Sequence, residues 1–172
     1  YYGWLYHFLT TSYNQTYMSR WADHFSQLLP GQDYASYLSF INQRNIYLMS
    51  QLNARVAPAY AFDIITPDGT VDTDYAQVTG KAWINVRQIC VDGIDTPLEL
   101  EWTSQGTGTS KVFYWTATVP LKPGANELVF SAYGFAGQLL GTDTVTMTST
   151  MQDRPLREFL KVTEIMYDPV GG

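Results

Sequence analysis

The spacing of apolar residues changes once along this chain, at Pro58, and that change limits the fold more than any motif does. Before it, apolar side chains recur every three or four residues; after it, they recur every second residue. Punctuation shifts at the same place. Of 13 glycines and eight prolines, only Gly3, Gly31, Pro30 and Pro58 fall within 1–58. Charge divides there too, with Arg20, Arg44 and Arg55 facing Asp23 and Asp33 in the first part, and the acidic excess behind the net −6 lying entirely in the second. The pattern predicts an α+β chain by segregation: an N-terminal three-helix segment over 1–58, then an all-β antiparallel Ig-like sandwich over 59–150. Residues 151–172 read as a polar linker and one further strand.

In the first part, Leu5, Phe8 and Leu9 stand at helical spacing. Asn14 is placed to cap a second helix, whose stripe is Tyr17, Met18, Trp21, Phe25, Leu28 and Leu29. Pro30-Gly31 stops it. Asp33 is placed to cap a third helix with Tyr37, Leu38, Ile41, Leu48 and Leu52 on its buried face. A bundle this short buries only about 60% of its unfolded surface, so it is expected to lean on something else.

In the second part, Val78, Ala82, Ile84 and Val86 alternate, and the parity then slips before Ile89 and Val91, which predicts a bulge or break near Arg87-Gln88. Asp92-Gly93 predicts a type I′ hairpin. Along 112–119, alternation puts Phe113, Trp115, Ala117 and Val119 on the core face, and Val112, Tyr114, Thr116 and Thr118 on the other. Pro120 to Gly124 reads as a turn, with strands at 128–133 and 142–150.

Composition narrows the function. Thirteen Tyr, eight Phe and five Trp exclude disorder, and a net charge of −6 argues against a nucleic-acid partner. The single Cys90 excludes an internal disulfide framework and a Cys-rich zinc site. No apolar run reaches the roughly 20 residues of a membrane-spanning helix, so no membrane insertion is expected. The chain opens on Tyr1-Tyr2-Gly3-Trp4 and closes on Val170-Gly171-Gly172, and it reads as a segment of a longer polypeptide.

Three stretches carry a family resemblance. Tyr17-Met18-Ser19-Arg20-Trp21 and the run from Arg44 to Leu52 resemble the closing helices of the CotH-type (spore coat protein kinase-like) fold. Val78 to Ala82, Ile89 to Gly93, Trp115 with the run Val119 to Leu128, and Gly134 to Gly137 resemble the bacterial Ig-like module that often follows it. Leu160 to Pro169 resembles the first strand of a lamin-tail-type domain. The resemblance implies a large secreted or cell-surface bacterial protein. It carries over no kinase residue, because the family's metal-binding and catalytic acids belong to parts upstream of these stretches.

No cofactor or catalytic set is expected. His7 and His24 lie in helices without a nucleophile and orienting acid beside them. Cys90, between Ile89 and Val91, has no electropositive setting and reads as a packing residue. Asp63, Asp68, Asp72 and Asp74 form an acidic stretch, and Asp68, Asp72 and Asp74 are the candidate metal ligands, though without the order of a calcium loop. Trp83, Trp102 and Tyr114 are the rings expected to reach the surface, which makes them the candidates for stacking on a carbohydrate. The expected role is a non-catalytic structural and interaction segment that spaces and docks neighbouring domains of the same polypeptide. A carbohydrate- or calcium-binding sandwich and a CotH-like kinase fragment are the other readings.

Overall fold

Three helices precede eight strands in the computed structural model, which describes residues 1–152; the expected strand over 160–169 and nearly all of the linker lie outside the described residues. The helices are α1 (Tyr2–Thr11), α2 (Gln15–Leu28) and α3 (Tyr34–Asn53). Both expected caps form, because a short polar side chain beside the first turn satisfies an amide that has no intrahelical partner. Asn14 Oδ1 accepts from the Tyr17 N–H at 2.9 Å, and Asp33 Oδ1 accepts from the Ser36 N–H at 3.0 Å. Asn45 on α3 ties the helices together by donating to the carbonyls of Leu9 and Tyr13.

The expected burial within the helices is only partly met. Leu52 is buried and Leu38, Ile41 and Leu48 are half-buried, but Tyr37 is exposed, and α2 contains no buried residue. The stripe on α2 is present in the sequence, but α2 packs on α3 and no sheet covers its apolar side.

The strands are β1 (Asp63–Ile64), β2 (Gly69–Val71), β3 (Tyr75–Lys81), β4 (Val86–Val91), β5 (Glu101–Gln105), β6 (Val112–Pro120), β7 (Gly124–Gly134) and β8 (Leu139–Ser149). They form two four-stranded sheets with the orders β1-β3-β6-β5 and β2-β8-β7-β4. All pairings are antiparallel except β2 with β8. Splitting the leading strand between the sheets as β1 and β2, with β3, β5 and β6 in one sheet and β4, β7 and β8 in the other, gives the two-sheet order of an Ig-like sandwich.

The core lies between the sheets. Trp115, Ala117 and Val119 are buried as alternation requires, in one core with Ile89, Val91, Phe130, Ala132 and Val145, whereas Phe113, expected on the same face, is half-buried and packs in a second cluster because the helices cover that end of β6. Trp115 is sandwiched by two rings, stacked on Phe62 at 5.6 Å and tilted against Phe130 at 5.4 Å. This aromatic pile joins the sheets where the chain has no disulfide to do so. The register shift between Val86 and Gln88 is the expected bulge.

Two local expectations fail. Residues 82–85 form the turn between β3 and β4 instead of continuing a strand. At Asp92-Gly93 the Ile94 N–H does donate to the Val91 carbonyl, at 3.1 Å, with Gly93 at φ +82°, but Asp92 keeps a negative φ, so the turn is not type I′. No two-stranded hairpin forms there. The chain leaves β4, packs Ile94, Leu98 and Leu100 against the core, and joins the opposite sheet as β5 beside β6.

Candidate functional site

The helices meet the sandwich at one end, through a second apolar cluster. Leu52, Val56, Trp83 and Ile84 are buried together, with Tyr2, Leu5, Tyr6, Met49, Tyr60 and Phe113 packed around them. Side chains from α1, α3, the segment after it, the β3–β4 turn and β6 therefore share one core. Gly3 marks the closest approach. A Cβ there would collide with the Ile84 carbonyl oxygen and come within 2.9 Å of the Phe135 ring. Glycine inside a helix carries a propensity penalty, and here the close approach accounts for it.

Aromatic edges and faces complete the contact. Tyr6 meets Trp83 edge-on at 4.9 Å, Trp4 meets Phe135 at 4.7 Å, and His7 stacks on Phe135 at 5.2 Å. Tyr60 links the connecting segment to β6: its hydroxyl donates to the Ala82 carbonyl at 3.2 Å and accepts from the Phe113 N–H at 2.8 Å. Loss of solvent raises its pKa above 10.0, because the phenolate would lose hydration there.

Beside this junction lies a cleft of about 510 Å³. Its walls come from the start of α1 (Trp4), the β3–β4 turn and β4 (Ile84, Arg87), β5 (Trp102) and the β7–β8 turn (Phe135). The guanidinium of Arg87 stands over the Trp4 ring, 5.4 Å from its centroid.

The sequence candidates scatter. Trp83 is a correction: it is 8% exposed, and its indole N–H donates to the Ala57 carbonyl at 3.0 Å, because the helical segment covers the turn that carries it. Trp102 is 42% exposed, on an edge strand whose five residues all face solvent. Tyr114 is half-buried, opposite Thr103 and Lys81 in the ladder, and does not line the cleft with Trp102.

Asp68, Asp72 and Asp74 do not converge. Asp68 accepts from the Thr146 N–H at 2.7 Å, and Asp63 pairs with Lys81 at 3.0 Å. Among the described residues no three acidic, His or Cys side chains stand close enough to share a cation. His7 belongs to the aromatic junction, His24 is exposed beside Trp21 and Phe25, and Cys90 is a half-buried free thiol.

Sequence reasoning passed over Trp4, Arg87 and Phe135. The usable signal was Gly3, a helical glycine among large rings, together with the parity slip beside Arg87.

The chain matches no family model and no curated protein. Among solved structures, fibronectin(III)-like modules of Clostridium thermocellum CbhA are similar over 52% of this chain and 96% of theirs, with 15% identity and a TM-score of 0.35. A twitchin kinase region from C. elegans is similar over 58% of this chain but only 16% of its own length, with 12% identity and a TM-score of 0.29. The Ig-like assignment rests on the strand order and register given above.

Proposed function

We propose that the chain is a non-catalytic segment of a large multidomain bacterial protein, secreted or held at the cell surface, and that it docks and spaces neighbouring domains of the same polypeptide. One observation carries this reading: an uncovered apolar face on helices that are themselves fixed to a sandwich. Along α2 and α3, Trp21 is 47% exposed and Phe40 65%, with Phe25, Leu28, Leu29, Tyr37 and Tyr47 also exposed. Monomeric proteins rarely leave so many large rings in water, and such surfaces mark contact sites. The sandwich offers neighbouring domains a firm base, since α1 and α3 share a core with it.

The resemblance of 1–58 to the end of a CotH-type domain supplies the occupant: the preceding part of that domain lies over α2. The Ig-like sandwich then separates it from a lamin-tail-type module that opens within 160–169. Hydroxyl-radical footprinting of this chain against the longer polypeptide tests the proposal residue by residue. Trp21, Phe25 and Phe40 are expected to become protected in the longer protein. Unchanged oxidation at all three rules out docking through this face.

A further inference from the structure

We infer that the cleft between β5, β4 and the start of α1 binds an acidic saccharide, with a pyranose ring against Trp102 and its carboxylate on Arg87, which Trp4 backs. The site goes beyond the docking role and uses none of the α2 residues.

Its construction follows from the sheet edges. Trp102 lies opposite Trp115 in the β5–β6 register, so both rings leave the sheet on the same side. Trp115 is sealed between the sheets, whereas Trp102 belongs to the edge strand and remains 42% exposed. Across the slot, β4 is the edge of the other sheet, and Arg87 is its unpaired residue at the bulge between Val86 and Gln88. Bulges re-aim side chains, and this one carries Arg87 to the Trp4 ring. Trp4, 58% exposed, closes the cleft from the helix side.

The chemistry of the lining selects the ligand. Apart from Arg87, the side chains that line the cleft are aromatic or aliphatic, and its volume falls in the usual range for small-molecule sites, roughly 300–1,000 Å³. Arg87 is exposed and makes no ion pair among the described residues, so its permanently charged guanidinium is free to meet an anion entering the cleft. A uronic acid answers both features. Its C–H face covers an indole, its hydroxyl rim stays in the water of an open cleft, and its carboxylate fits a guanidinium through two parallel hydrogen bonds. A neutral sugar leaves Arg87 unanswered, and a wholly apolar ligand leaves it buried and unpaired.

Affinity-gel electrophoresis of the full 172-residue chain in polygalacturonate and in neutral galactan tests the site, with tryptophan fluorescence titration by galacturonate oligosaccharides as the solution measure. The net charge of −6 opposes general attraction to a polyanion, so retardation there reports a local site. Retardation is expected in polygalacturonate only. Arg87→Gln is expected to weaken binding at least about tenfold, as loss of one charge-assisted pair does. Trp102→Ala should abolish retardation while Trp102→Tyr, which keeps a ring, retains it; each variant should keep the parent melting temperature. Three results overturn the inference: migration unaffected by either polymer, equal retardation in both, or binding that survives Arg87→Gln and Trp102→Ala.

Discussion

Gly3→Ala gives a test in which the sign of the effect decides whether α1 is docked. In a helix free of neighbours the change is stabilising, by about 1 kcal/mol, since alanine gives up less backbone entropy than glycine. Against the sandwich the new methyl group runs into the Ile84 carbonyl oxygen, which belongs to a turn between two strands and has little room to retreat, and it presses on Phe135 as well. Overpacking of this kind costs about 1–3 kcal/mol, and a clash with backbone that cannot swing aside falls at the upper end, about 2–3 kcal/mol, so the docked arrangement predicts a net loss of roughly 1–2 kcal/mol. For a chain of this size that lowers the melting temperature by roughly 2–8 °C, whereas an undocked helix would gain roughly 2–4 °C. Thermal melts followed by circular dichroism, with urea midpoints as a check, separate the two. Shrinking the opposing ring with Phe135→Leu should recover part of the loss, giving a coupling of about 0.5–3 kcal/mol between the sites. A Gly3→Ala chain as stable as its parent, or more stable, would falsify the junction.

Other expectations follow from the same contacts. Trp83→Phe keeps most of the packing but strips the hydrogen bond to Ala57, and should destabilise by about 1–3 kcal/mol in urea melts; no change would mean the Ala57 carbonyl finds another donor. Asn14→Ala removes the α2 cap and should cost about 1 kcal/mol, read as a lower urea midpoint. Hydrogen bonds from Ser36 hold the Asp33 carboxyl below its ordinary 3.8, so its cap is intact above that pH and lost as pH falls through the lowered value. Far-UV circular dichroism should show helix loss in acid that Asp33→Asn makes smaller. Tyr60 titrates in the opposite sense. Its raised pKa adds stability below pH 10.0 that fades as pH climbs past it, and Tyr60→Phe should flatten that alkaline decline.

Features set by near neighbours in sequence were legible without coordinates. The caps at Asn14 and Asp33, the core face of β6 from Trp115 to Val119 and the bulge beside Arg87 each depend on a few adjacent residues, and all four form. What escaped depends on distant segments meeting. Trp83 looks like an outward ring on an alternating strand until the segment ending at Ala57 folds over its turn. The return partner of β4 could not be read from Asp92-Gly93, because β5 is drawn to the other sheet by its ladder with β6, from Glu101–Thr116 to Gln105–Val112. Binary pattern identified the stripe on α2 but could not say that it would go uncovered. The cleft needed all of these placements at once, with only Gly3 and the parity slip to hint at it.

The short pairing of β2 with β8, Gly69 to Met147 through Val71 to Ser149, is parallel, and it ties the segment by which the chain enters the sandwich to the strand by which it leaves. Tension between a domain ahead of the sandwich and one behind it would draw these two strands past each other lengthwise. Their hydrogen bonds would then be loaded together instead of opening one after another like a zip. With domains on either side, as proposed, the sandwich would hold as a link under traction, and a proline at Thr70 is the change that should let it slip.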